Sequence, residues 1–96
     1  MDIFKHYYNA IENGPSDLTR RECCKEAGFA YLYAYDIDKG PHELTRSSSC
    51  KSPLYAFVYA RDIDKCFRED TFKAASKDVL YKKFYGDLIG CFVEDG

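Results

Sequence analysis

Residues 14–39, GPSDLTRRECCKEAGFAYLYAYDIDK, are followed without a gap by residues 40–65, GPHELTRSSSCKSPLYAFVYARDIDK. Fourteen of the twenty-six aligned positions are identical. Self-similarity at such a period marks a repeat architecture, in which each copy is one supersecondary unit that buries its apolar face only against its neighbours. Residues 66–90, CFREDTFKAASKDVLYKKFYGDLIG, read as a third, degenerate copy that keeps Thr71, Lys77, Tyr85 and Ile89 in register. Ile3–Asn13 reads as the second half of a preceding copy, with Tyr7 and Ile11 at the repeating positions and Glu12 in place of Asp. Tyr then recurs at 7, 33, 59 and 85, and Ile at 11, 37, 63 and 89. The 96 residues therefore read as a single domain over 1–96: a half-repeat 3–13, repeats 14–39, 40–65 and 66–90, and an irregular tail 91–96.

Each copy holds two helix-length stretches. Gly-Pro closes one helix, and Ser16 or His42 opens the next, with Ser16 a good N-cap and Asp17 well placed in the first turn. This first stretch runs about ten residues, to Glu26 or Lys51. Gly28 in one copy and Ser52-Pro53 in the next break it, with Ser52 as cap and Pro53 in the new first turn; Ser76 and Asp78 fill that place in the third copy. The second stretch, such as Phe29 to Asp38, is rich in Tyr and Ala. Its aromatics admit a strand, so the period has to decide. Phe29, Tyr33 and Ile37 are spaced by four, as are Ala30 and Ala34, and Tyr55, Tyr59, Ile63, Ala56 and Ala60 repeat the pattern. A stripe of large residues beside a stripe of small ones is helical packing. The expected fold is all-α: a small right-handed stack of helical hairpins, an α-solenoid in miniature made of one half-repeat and three 26-residue repeats. On the first helix Thr19, Arg20, Cys23 and Cys24 align with Thr45, Arg46, Ser49 and Cys50, and with Thr71, Phe72, Ala75 and Ser76. Phe72 standing where the others have Arg marks that position as inward.

Composition bounds the function. Apolar residues make up 46% and aromatics 17% of the chain, which excludes intrinsic disorder. A net charge of −2 disfavours nucleic acid as a partner, since domains that neutralise phosphates are usually strongly basic. No apolar run approaches the ~20 residues of a membrane span. Met1-Asp2-Ile3-Phe4-Lys5 has neither the basic nor the apolar region of a signal peptide, so the reading is a cytoplasmic protein, without a membrane role. The five cysteines, Cys23, Cys24, Cys50, Cys66 and Cys91, are odd in number and lack a Cys-x-x-Cys pair. They read as small buried hydrophobes. With His6 and His42 as the only histidines, no metal or other cofactor is indicated.

Three groups of residues are candidates. In Asp36-Ile37-Asp38-Lys39 and Asp62-Ile63-Asp64-Lys65 the paired carboxylates flank an Ile, so on a helix they point about 200° apart and cannot converge on one atom. They read as structural: Arg20 pairs with Asp38 and Arg46 with Asp64. In the third copy Arg becomes Phe72 and Asp becomes Gly90, so both partners are lost together, as expected when a buried charge cannot stand alone. The second group is aromatic. With Tyr33 and Ile37 inward, Tyr31, Tyr35, Phe57 and Arg61 fall on the far side, with Lys83 and Asp87 on the same face. Exposed aromatics beside Arg compose a protein-binding hot spot, although packing against a neighbouring helix would explain them equally. The third is Lys25, Lys51 and Lys77, a possible ladder for single-stranded RNA, weakened by Glu22, Glu26 and Glu43. Nucleophilic catalysis has no support: there is no Gly-x-Ser-x-Gly and no Gly-rich phosphate loop, and Ser47-Ser48-Ser49 has only His42 nearby.

The pattern Gly-Pro-x-x-x-Thr-Arg-x-x-x-Cys-Lys, followed by Tyr/Phe-Ala-x-x-Tyr-Ala-x-Asp-Ile-Asp-Lys, resembles a short helical repeat found in tandem in phage and giant-virus proteins of unknown function. The resemblance covers about residues 3–90. The third copy departs from it at Cys66-Phe67, Phe72 and Gly90, and so looks like a cap. A viral origin and a binding role are what the resemblance implies. The expected function is a non-enzymatic protein-binding module, a phage-encoded inhibitor that sterically blocks a host protein complex of the defence machinery in the manner of an anti-CRISPR protein. The alternatives are an assembly protein that self-associates by repeat stacking, and a single-stranded nucleic-acid binder. The oligomeric state, monomer or homodimer, is open.

Overall fold

A computed structural model describes residues 2–94, and the side chains of residues 2–92. Among the described residues the chain is entirely helical, without strands. The helices are α1 (Ile3–Asn13), α2 (Asp17–Cys23), α3 (Ala27–Leu32), α4 (Glu43–Ser49), α5 (Pro53–Tyr59), α6 (Glu69–Ala75) and α7 (Val79–Glu94). Two of them continue as π-helical segments, α3 through Tyr33–Asp38 and α5 through Ala60–Asp64. The body measures 38 × 27 × 15 Å.

Local chemistry sets the boundaries. Ser16 Oγ accepts from the Thr19 amide, Ser52 Oγ from Tyr55, Asp78 Oδ1 from Leu80 and Asp2 Oδ1 from Phe4, so each satisfies a donor that the helix itself leaves orphaned. His42 does the same through Nδ1, to the Leu44 amide. The short helices end earlier than expected, at Cys23 and Ser49, and α3 begins at Ala27. Gly28 is therefore not the break but lies in the first turn of α3. A Cβ there would stand 3.1 Å from the Tyr55 hydroxyl, so a larger residue would press that ring aside by a few tenths of an ångström. Residues 91–94, expected as irregular tail, are helical and extend α7; residues 95–96 lie outside the described part.

The short helix of each pair packs chiefly on the long helix before it: α2 on α1, α4 on α3 and α6 on α5. The long helices also touch in chain order, α1 to the first π segment, α3 to α5, and α5 to α7. The core is small residues around three tyrosines. Tyr33, Tyr59 and Tyr85 are fully buried, among Ala10, Ala34, Ala56, Ala60, Ala74 and Ala75. Each tyrosine reaches back to the start of the preceding short helix. The Tyr59 hydroxyl accepts from the His42 amide (3.0 Å) and lies 2.8 Å from Thr45 Oγ1. Tyr33 makes the same contacts with Ser16 and Thr19, and Tyr85 with Arg68 and Thr71. All three phenols are thus satisfied in the interior, where an unpaired hydroxyl would be costly.

The π segments carry one extra residue per turn. Lys39 and Lys65 end them in the left-handed region (φ 54° and 55°), and their amides return to the carbonyls of Ala34 and Ala60. That conformation is free of strain for glycine and disfavours other residues by about 1–2 kcal/mol.

The half-repeat does not keep the register read from the sequence. Tyr7 does not take the part of Tyr33. Its hydroxyl donates to Asp36, as the hydroxyl of Tyr31 donates to Asp62. Its ring lies 5.9 Å from Phe29, as that of Tyr31 lies 6.1 Å from Tyr55. Tyr7 is therefore the counterpart of Tyr31, two residues out of step. Ile11 is correspondingly 49% exposed, whereas Ile37 is 9% exposed. Among the described residues Tyr7 has no threonine hydroxyl and helix start to reach, and its hydroxyl bonds Asp36 of the first π segment instead.

Candidate functional site

Two carboxylates in each π segment serve opposite sides. Asp38 faces α2: Arg20 Nε donates to Oδ2 (2.9 Å) and Nη2 to Oδ1 (2.7 Å). Asp64 receives Arg46 in the same fork, Nε to Oδ2 at 3.0 Å and Nη2 to Oδ1 at 2.6 Å. Both side chains of the second pair are nearly withdrawn from water, Asp64 at 2% exposure. Each guanidinium also lies over a core tyrosine, Arg20 at 5.6 Å from the Tyr33 ring and Arg46 at 5.8 Å from that of Tyr59. In the third unit the Phe72 ring meets Tyr85 instead, at 5.1 Å.

Asp36 and Asp62 face the neighbouring long helix. Asp62 Oδ2 accepts from Tyr31 Oη at 2.7 Å and from Arg61 Nη2 at 3.0 Å, and Arg61 Nε holds Oδ1 at 2.8 Å. The Arg61 guanidinium, helped by Tyr31, holds the Asp62 carboxyl below its usual range. Burial, then the bond to Asp62, pushes the Tyr31 phenol up. The same two causes raise Tyr7 to about 12, and burial raises Tyr59 and Tyr85.

A pH dependence follows. Tyrosines of the unfolded chain ionise near pH 10. These four keep their protons to higher pH when folded, so their contribution is complete below about 10 and is lost as pH rises from there toward their folded values. The tyrosine share of the fall in melting temperature should therefore come between about pH 10 and 12, above the onset set by the buried thiols, and Tyr31→Phe should fall less steeply there. A flat profile would show that these hydroxyls are not buried as described.

The aromatic face divides. Tyr31 and Phe57, expected on the free surface, are half-buried between helices: Phe57 stacks 6.1 Å from Tyr81 and 5.9 Å from Phe84. They are covered because each long helix is contacted on a second side, α3 by α5 and α5 by α7. Tyr35 is 54% exposed, and Arg61 lies beside it on the same groove. Lys83 is exposed on α7, apart from these two, at the position where the other copies have Tyr31 and Phe57. The exposed large apolar side chains also include Leu32 beside Tyr35 in sequence, and Phe4, Tyr8 and Ile11 on α1.

Two of the cysteines are not buried hydrophobes. Cys66 is exposed because it replaces the glycine of the Gly-Pro turn, and Cys91 because it lies in the added turn of α7. Burial pushes the thiols of Cys23, Cys24 and Cys50 up to about 11, so they remain protonated at neutral pH. Lys25 bonds Glu22 (2.8 Å), and Lys51 donates to the Cys24 carbonyl (3.2 Å), which also accepts from Ser48 Oγ (2.5 Å) and so ties α2 to α4. Among the described residues no group of three His, Cys, Asp or Glu side chains converges on one point.

The hydroxyl contacts of Tyr33, Tyr59 and Tyr85 escaped the sequence reading, although Thr and Tyr stand fourteen residues apart in all three copies. No family model matches the chain, and no curated protein or solved structure is detectably similar to it.

Proposed function

We propose that the chain is a non-enzymatic protein-binding module built as a short right-handed stack of helical hairpins. The threefold recurrence of the Tyr–Thr contact at 26-residue intervals supports the stack. The observation that carries the binding reading is Tyr35, a large aromatic half in water beside Arg61, while its neighbours Tyr31 and Phe57 are spent on packing. Tyr and Arg dominate the energetics of protein interfaces, since each brings much contact area and a directed polar group. A concrete form of the reading is a phage inhibitor that occludes a host defence complex. Tyr35→Ser should leave the melting temperature within about 4 °C of wild type, because surface changes usually alter stability by no more than about 0.5 kcal/mol. The same variant should lose the proteins that wild type captures from host lysate. Equal capture by both would end the reading.

One observation favours self-association as a second reading. Phe4, Tyr8 and Ile11 form an exposed stripe at helical spacing on α1. Native mass spectrometry separates the two, with a monomer expected from the first and an oligomer from the second.

A further inference from the structure

Between the C-terminal ends of the first π segment and the second lies a groove of about 410 Å³, walled by Tyr35, Lys39, Arg61 and Lys65 over Ala34 and Ile63. Its single carboxylate, Asp62, is already engaged by Arg61 and Tyr31. Lys39 and Lys65 are exposed and enter no ion pair or side-chain hydrogen bond among the described residues. The groove therefore carries two cations without an ion-pair partner beside the half-exposed ring of Tyr35.

The backbone supplies an independent argument. Both lysines occupy a left-handed conformation that glycine would take without strain, and Gly40 stands immediately after the first of them. Lysine is nevertheless present in both copies. Residues held in sparsely populated backbone regions gather where a side chain has a task beyond folding. The preceding groove, between α1 and the first π segment, repeats the frame with Gly14, Asp36, Ile37 and Lys39. There Ile11 replaces the aromatic wall, and Lys39 is the one cation, beside the Asp36 carboxylate that Tyr7 engages. Only the second groove is both cationic and aromatic.

We propose that this groove binds an acidic, extended peptide segment of a partner protein. Its carboxylates pair with Lys39 and Lys65, and an apolar side chain between them rests against the ring of Tyr35. The proposal rests on the protein-binding reading above. A phosphate strand fits less well, because its successive charges need a continuous track of cations and the adjoining groove offers only Lys39, with a carboxylate beside it.

The test uses the full chain and a short fluorescein-labelled peptide of alternating glutamate and leucine, read by anisotropy at low salt. The decisive variant is Lys39→Gly with Lys65→Gly, which removes the charges while relaxing the backbone. It should bind the peptide about tenfold more weakly, as expected for two exposed ion pairs, with a melting temperature equal to or above that of wild type. Amide shifts on titration should centre on Tyr35, Arg61 and Ile63. The assignment is overturned if the glycine variant binds as well as wild type, if the matching glutamine–leucine peptide binds equally, or if single-stranded oligothymidylate displaces the peptide. If the glutamate peptide does not bind, yet wild type and the glycine variant both capture a partner that Tyr35→Ser loses, the groove assignment falls and the protein-binding reading stands.

Discussion

Tyr59→Ala should lower folding stability by about 3–5 kcal/mol, a large share of the total for a domain of this size. The ring is fully buried, so truncation opens a cavity between α4, α5 and the second π segment rather than a patch that water can fill. The loss is not only apolar. The hydroxyl also receives the His42 amide and faces Thr45 Oγ1, and α4 begins at those two residues. Tyr59→Phe separates the two contributions: it keeps the ring and should cost about 1–2 kcal/mol, the usual consequence of leaving buried polar groups without a partner. Urea denaturation of both variants measures this. A neutral Tyr59→Phe would mean that water replaces the hydroxyl and that the contact is incidental.

Arg46→Ala should destabilise by about 2–4 kcal/mol, because it leaves the Asp64 carboxylate buried without its forked partner. It also removes the guanidinium from the face of Tyr59. Asp64→Ala strands the opposite charge. The double variant should lose less than the sum of the two, since neither charge is then left alone. Urea midpoints for the four proteins give the coupling directly. Additive losses would show that the geometry carries no interaction energy. The Arg20–Asp38 pair is the milder comparison, because Asp17 gives Arg20 a second acceptor at 3.0 Å.

Helix content was legible because Tyr33 and Ile37 repeat at helical spacing in a copy where Ala30 and Ala34 do likewise. Two copies also vary in a way that exposes pairing: Phe72 and Gly90 replace Arg and Asp together, and only spatial contact explains a joint loss. The interhelical bond shows the same logic in hindsight, since Tyr31 and Asp62 become Phe57 and Leu88 one unit later. What could not be read was rotation. Whether Tyr31 meets water or Tyr55 depends on how one hairpin turns against the next, and a periodicity within a helix does not encode that angle. The π segments were hidden for a related reason: Tyr33–Asp38 has no residue whose propensity demands a wider turn. The slip of Tyr7 has the same origin, because its sequence position is regular and what it meets depends on how α1 turns against α3.

Tyr33, Tyr59 and Tyr85 each hook back to the helix start before them, while each short helix leans on the long helix before it. The two sets of contacts overlap like roof tiles, so no cut between sequence copies falls at a seam. Pulled from its ends, such a chain resists unequally. Among the described residues no such hook holds α1, which is kept by its packing on α2 and the Tyr7 bond to Asp36. The interior units give way only when a tyrosine is drawn out of its socket, which makes the middle of the molecule its mechanical clamp.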